Sequence, residues 1–188
     1  MSKKTVFHDP LPPLQVLLWQ QCWAAAAGAG TGAIVSFHFG RKLPRPKPLD
    51  NPAVGADLRT HQGEAILFIE CRWSVTSKNG VSFDSDEDRK FNGRVARAIK
   101  NVVGSAVLQI RATMPPSEIV VSFDNGSTLE LHADPADPDD PHDNFSLSFG
   151  DTSYVIGPDL GLRLEPRRGI VPLVGLSARS VRRRRAKV

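Results

Sequence analysis

Apolar and polar residues alternate over short stretches along most of this chain, which is the pattern of half-buried strands. The longest such stretch, EAILFIECRWSV at residues 64–75, predicts a central strand with Trp73 buried. The Asn-Gly pairs at residues 79–80 and 125–126 predict hairpin turns. Strand patterns that recur about every 8 to 12 residues, with turn signals between them, are typical of an antiparallel sheet or partial barrel.

Further strands are predicted at residues 106–112, 118–123, 127–132, 145–149, 153–156 and 160–164. One helix interrupts this series: Ser85 suits its N-cap, and Gly104 suits its end. Its apolar stripe comprises Phe91, Val95, Ile99 and Val102. The predicted fold class is therefore α+β, a mostly antiparallel β-sheet or partial barrel with one amphipathic helix.

The chain of 188 residues suits one domain with flexible ends. Prolines predict an extended lead-in at residues 1–13, a single β-rich domain follows at residues 14–168, and residues 169–188 form a basic tail. Within the domain, we favour a strand pair with its turn in residues 28–32 over an alanine-rich helix. Residues 40–62 contain four prolines and predict a long surface connection.

Positive charge is concentrated at the C-terminal end of the chain. The net charge is +4, but residues 179–188 alone carry more positive charge than that excess, so the remainder is slightly acidic. Arg182, Arg183, Arg184 and Arg185 are candidate anion-binding residues, because guanidinium groups bind phosphate well. An equally weighted interpretation is a tail that serves only solubility. No aromatic residue follows Tyr154, so the tail itself cannot stack on bases.

The segment HADPADPDDPHDN, residues 132–144, combines five aspartates, two histidines and three prolines. We favour a solvated loop, since Asp-Pro steps are ordinary turn chemistry. An acidic partner-binding loop is the second interpretation, with candidate residues Asp137, Asp139, Asp140 and Asp143. A metal site is the weakest interpretation, because the segment lacks the glycine and glutamate of a calcium loop and the cysteines of a zinc site. No metal and no cofactor are therefore predicted.

Catalysis has little support in the sequence, which contains no nucleophile elbow, P-loop, zinc-protease or paired-cysteine motif. Cys22 and Cys71 lie beside tryptophans in apolar runs, which favours two buried free thiols over a disulfide between them. His38 lies between Phe37 and Phe39, so its side chain should point to the opposite face of the strand. We predict a protein that is not an enzyme.

No apolar run reaches the roughly 18 to 20 residues of a membrane helix, so no membrane contact is predicted. The N-terminal segment contains an aspartate and three prolines and does not match a secretion signal. These two observations predict a cytoplasmic protein.

The stretches GAIVSFHFG, GEAILFIECRWSV, IVVSFDNGSTLELHAD and DNFSLSF follow one another in the order seen in a group of small uncharacterised bacterial proteins. The chain resembles this group, a domain of unknown function discussed as possible immunity or accessory proteins, over roughly residues 30–165. The resemblance implies a compact β-rich domain with one helix and carries over no catalytic residue.

We therefore predict a non-enzymatic binding protein, and the most specific form of this hypothesis is a protein that neutralises a toxin. Exposed acidic side chains would suit the basic surface of a nuclease partner. The alternative is a nucleic-acid-associated accessory protein that makes nonspecific contacts through its arginine-rich tail.

Overall fold

A computed structural model describes residues 12–27, 34–52, 54–85, 93–113, 116–135 and 142–167. The strands are β1 (Cys22–Ala27), β2 (Val35–Pro44), β3 (His61–Ile69), β4 (Arg72–Thr76), β5 (Ser82–Asp84), β6 (Val107–Ala112), β7 (Glu118–Phe123), β8 (Thr128–His132), β9 (Phe145–Phe149), β10 (Thr152–Ile156) and β11 (Leu162–Pro166). They form a six-stranded sheet, β1-β2-β3-β9-β10-β11, and a five-stranded sheet, β5-β4-β8-β7-β6. Every described strand pair is antiparallel, as the turn-separated alternation predicted.

The two sheets enclose one hydrophobic core and do not close into a barrel. Phe37 and Leu67 contribute to this core from the six-stranded sheet, and Trp73 and Leu129 contribute from the five-stranded sheet. Trp73 is 1% exposed, which confirms its predicted burial. The pairing of β1 with β2 also confirms the predicted strand pair, while its turn at residues 28–32 lies outside the described residues.

The predicted single strand at residues 64–75 is wrong, because the chain turns from one sheet to the other at Glu70 and Cys71. Ile69, Cys71 and Trp73 all lie in the core, so the alternation of burial continues through this corner. A pattern of period two reports which side chains are buried and not which sheet carries them. The backbone N–H groups of Glu70 and Cys71 both donate to the carbonyl oxygen of Asn144, each at 2.9 Å.

Of the extended lead-in predicted for residues 1–13, residues 1–11 lie outside the described residues, and only residues 12 and 13 are described. A 3₁₀-helix spans Pro12–Leu17, and its Leu14 and Leu17 are buried. Prolines are compatible with the first turn of a helix, because the backbone N–H groups there have no hydrogen-bond partner within the helix. In the predicted connection at residues 40–62, β2 continues to Pro44, and helix α1 spans Ala56–Thr60.

The predicted helix from Ser85 to Gly104 is also revised. Helix α2 spans only Arg94–Lys100, with Gly93 at its N-cap and with Val95, Ala98 and Ile99 buried. Ser85 is not the N-cap of α2; its N–H donates to the carbonyl oxygen of Trp73 at 2.8 Å and extends the strand pairing, and residues 86–92 lie outside the described residues. Phe91 of the predicted stripe lies outside the described residues. No helix among the described residues is long and apolar enough to cross a membrane.

Candidate functional site

The acidic segment leaves the five-stranded sheet at the end of β8 and enters the six-stranded sheet at the start of β9. Its two described ends are joined by the side chain of Asn144, which is 3% exposed. The N–H of Asp134 donates to Oδ1 of Asn144 at 3.1 Å, and Nδ2 donates to the carbonyl oxygens of Asp134 at 3.0 Å and Gly157 at 2.9 Å. We call this set of hydrogen bonds the Asn144 clamp.

Two ion pairs lie beside the Asn144 clamp, one at each end of the acidic segment. The guanidinium of Arg72 donates to Oδ2 of Asp134 at 2.9 Å and 3.2 Å. The guanidinium of Arg163 donates to Oδ1 of Asp143 at 2.6 Å. This hydrogen bond and the charge of the Asp143 carboxylate hold the pKa of Arg163 above its ordinary value. Each end of the segment is thus tied to a different sheet, through β4 and through β11.

Glu70 adds a third carboxyl group near the Asn144 clamp, beside those of Asp134 and Asp143. It occupies the corner between the sheets, where its backbone N–H is bonded to Asn144. Burial raises the pKa of Glu70, and the negative charge of Asp143 raises it further, while His142 acts in the opposite direction. The carboxyl group of Glu70 therefore holds its proton more tightly than the carboxyl group of a solvated glutamate does.

The structure places one of the four predicted partner-binding aspartates. Asp143 is partly exposed and already forms an ion pair with Arg163. Asp137, Asp139 and Asp140 lie outside the described residues, as do Arg182, Arg183, Arg184 and Arg185 of the predicted anion-binding tail. The sequence did not indicate the Asn144 clamp, because the partners of this asparagine lie 10 and 13 residues away along the chain.

Both cysteines of the chain are buried. Cys22 and Cys71 are free and buried, as predicted, and burial raises the pKa of each thiol to about 12. Thiols with such pKa values are poor nucleophiles near neutral pH, since the thiolate is the reactive form.

His38 does point away from Phe37 and Phe39, and it is 3% exposed. The backbone N–H of Gly63 donates to its Nδ1 at 3.0 Å. Burial lowers the pKa of His38 to about 3, assisted by the charges of Arg45 and Arg167. This histidine therefore stays neutral at physiological pH and serves the structure of the sheet.

The surface carries a shallow cleft of about 360 Å³ that the sequence did not indicate. The β4–β5 turn, the β7–β8 turn and the C-terminal end of α2 form its walls, with Phe83 among the lining residues. The side chain of Asn125 donates to the carbonyl oxygen of Asn101 at 2.6 Å and so ties two of these walls together. The two Asn-Gly pairs that predicted hairpins thus also lie near each other in space.

Among the described residues, no group of three or more histidine, cysteine, aspartate or glutamate side chains is arranged to hold a metal ion. Comparison with protein-family models, with curated proteins and with solved structures finds no match to this chain. The class that the structure defines is an antiparallel protein of two sheets, and the resemblance to bacterial immunity or accessory proteins stays a prediction.

Proposed function

We propose that this protein is a non-enzymatic binding protein whose acidic segment contacts a basic partner. In its sharpest form, the partner is a toxin that the protein neutralises by covering its active surface. Loops that are carried on a rigid scaffold are common binding elements, since their side chains are exposed while their ends are fixed.

The observation that carries the proposal is the fixed base of the acidic segment. The Asn144 clamp and the pairs Arg72–Asp134 and Arg163–Asp143 hold both ends of a segment that contains three more aspartates between them. Holding the ends in place lowers the conformational entropy that the loop loses on binding. The high pKa values of Cys22 and Cys71 and the low pKa of His38 further support a role in binding over one in covalent catalysis.

The test compares the wild-type protein with two variants of equal charge. In the loop variant, Asp137, Asp139 and Asp140 are replaced by Asn, while Asp143 is kept because it pairs with Arg163. In the control variant, the exposed residues Asp50, Asp57 and Asp151 are replaced by Asn. Of these, Asp57 pairs with Lys42, an exposed pair that contributes little to stability and lies outside the acidic segment. Each protein is immobilised and exposed to a lysate of the source organism, and captured proteins are compared at low and high ionic strength.

We expect a basic protein that the wild type and the control variant retain and that the loop variant loses. Its capture should weaken at high ionic strength, because exposed charges attract through a screened field. Equal capture by all three proteins would contradict a role for the acidic segment, and no specific capture by the wild type would contradict a binding function. The toxin version further requires that the captured protein has an activity that the wild type suppresses in stoichiometric amount.

A further inference from the structure

The first residues of β3 have one side that no described strand covers. β2 pairs with β3 from His61 onward, whereas β9, on the opposite side, pairs with it only from Ala65 onward. The Arg45 N–H donates to the carbonyl oxygen of Thr60 at 2.8 Å, which marks a bonded position in the pairing with β2. Bonded and non-bonded positions alternate, so the carbonyl oxygens of His61 and Gly63 point away from β2, towards the open side.

Two guanidinium groups occupy this open side and bond to its carbonyl oxygens. Nε of Arg45 donates to the carbonyl oxygen of His61 at 2.9 Å and to a second carbonyl oxygen, in α1, at 2.7 Å. The guanidinium of Arg167 donates to the carbonyl oxygens of Gly63 at 3.3 Å and Gly150 at 3.0 Å. The carbonyls of His61 and Gly63 are two residues apart, about 7 Å along the strand. The backbone therefore holds the two guanidinium groups at neighbouring points of one strand.

The positive charges of Arg45 and Arg167 are not neutralised by an ion pair. In the part of the chain that the structure describes, neither guanidinium pairs with a carboxylate. Burial lowers the pKa of Arg45, and the positive charge of Arg167 lowers it further. Burial also lowers the pKa of Arg167, while the negative charge of Asp151 acts in the opposite direction. Two partly buried like charges repel each other, and a bound anion would offset that repulsion.

The carboxylates of the adjoining elements are already paired with other cations. Glu64, which follows Gly63 on β3, pairs with Arg41 at 2.7 Å. Asp57 of α1 pairs with Lys42 at 2.6 Å. Helix α1 also contributes a further guanidinium, that of Arg59, whose Nε is buried and has no hydrogen-bond partner among the described residues. This end of the sheet therefore has an excess of cationic N–H donors over the acceptors that the described chain supplies.

We propose that Arg45 and Arg167 together bind a tetrahedral oxyanion of the phosphate class. Each guanidinium has five N–H donors and so keeps donors for a ligand besides those that it gives to carbonyl oxygens. A phosphate group offers enough oxygens to accept from two guanidinium groups at once, whereas a carboxylate has only two oxygens. The carbonyl contacts orient both side chains before the anion binds, which lowers the entropy lost on binding. The site does not depend on the function proposed for the acidic segment.

Calorimetric titration of the full-length protein at constant ionic strength tests the site, with inorganic phosphate, glycerol phosphate and acetate as probes. Arg45→Gln and Arg167→Gln each remove one guanidinium, and the matched control Arg97→Gln removes an exposed one from α2. We expect each of the first two variants to bind phosphate at least about tenfold more weakly than the wild type, because hydrogen bonds to charged groups are lost. The control should bind as the wild type does. Binding of glycerol phosphate would identify a phosphate monoester as the ligand, and binding of inorganic phosphate alone would identify the free ion.

Chemical modification of the wild type tests the same site without a substitution that could disturb folding. Phenylglyoxal reacts with arginine side chains, and mass spectrometry of the resulting peptides measures the reaction at each arginine. Phosphate should slow the modification of Arg45 and Arg167 and leave that of Arg97 unchanged. The arginine-rich tail is present in every variant, so phosphate binding that is equal in Arg45→Gln, Arg167→Gln and Arg97→Gln would overturn the proposed site. Modification of Arg45 and Arg167 that phosphate does not slow, or acetate binding as tight as phosphate binding, would overturn it too.

Discussion

Replacing Asn144 with alanine should destabilise the protein through the loss of the Asn144 clamp. The side chain makes three hydrogen bonds of 2.9–3.1 Å and is almost fully buried. Its removal leaves the N–H and carbonyl of Asp134 and the carbonyl of Gly157 without this partner. A buried polar group left unsatisfied costs about 1–3 kcal/mol. Water can reach the two partly buried atoms of Asp134 more easily than the carbonyl of Gly157, so we expect a total loss of about 3 kcal/mol.

Urea unfolding followed by tryptophan fluorescence measures this loss as a lower midpoint with an unchanged slope. A loss of that size corresponds to a fall of roughly 6–12 °C in the thermal midpoint of a domain of this length. Ser146→Ala is the matched control, since it removes a small polar side chain two positions further along β9. Asn144→Asp should cost more than Asn144→Ala at neutral pH, because it turns two N–H donations into contacts between oxygens.

The relative stabilities of these three variants test the role of the Asn144 clamp. Surface substitutions typically change the free energy of unfolding by no more than about 0.5 kcal/mol. If the free energies of unfolding of Asn144→Ala and Ser146→Ala differ by no more than this, the clamp does not hold the base of the acidic segment. If Asn144→Asp is more stable than Asn144→Ala, the two donations from Nδ2 do not contribute as the distances indicate.

Four further predictions concern other parts of the chain. Trp73→Ala should cost about 3–5 kcal/mol in urea unfolding, since it empties a fully buried site, and an unchanged midpoint would remove this strand from the core. Because the pKa of Glu70 is raised in the folded protein, Glu70 favours folding when it is protonated at low pH, and this contribution is lost as the pH rises. Glu70→Gln removes the buried charge, so it should raise the thermal midpoint at pH 7 and leave it unchanged below pH 4. The lowered pKa of His38 means that stability is lost as the pH falls from 6.5 towards 3, by up to about 5 kcal/mol. His38→Asn keeps an acceptor for the Gly63 N–H and removes the titrating imidazole. It should therefore reduce the loss of stability below pH 6.5, as measured by urea unfolding over a range of pH values. Deleting residues 179–188 should leave the thermal midpoint unchanged and abolish any salt-sensitive binding to nonspecific DNA, so binding that survives the deletion would exclude the tail as its source.

The sequence predicted those strands whose limits are set by nearby residues. The strands at residues 118–123 and 145–149 have the predicted bounds, because the limits of each depend on local alternation and on turn residues beside it. The corner at Glu70 and Cys71 was missed because the apolar alternation does not change there, although the chain moves from one sheet to the other. Helix α1 has only five residues, which is too short for a periodic pattern to emerge.

The candidate site depends on contacts that sequence patterns do not carry. The acidic composition of the segment indicated a loop, but not which side chains fix it. Asn144 is a single polar residue beside a strand, and its role arises only when Asp134 and Gly157 reach it from other parts of the fold. The ion pair between Arg163 and Asp143 likewise joins residues 20 positions apart.

This ion pair changes how the acidic segment must be tested. Replacing all four predicted aspartates would remove the partner of Arg163 together with the free charges, so a change in association would have two possible origins. An exposed pair contributes about 0–1 kcal/mol, which is too little to unfold the protein but enough to shift one end of the segment. The variant that keeps Asp143 changes charge while leaving the base intact, and Asn144→Ala loosens the base while leaving the charge intact. If the first variant alone loses the partner, electrostatic attraction carries recognition; if the second alone loses it, the position of the segment does.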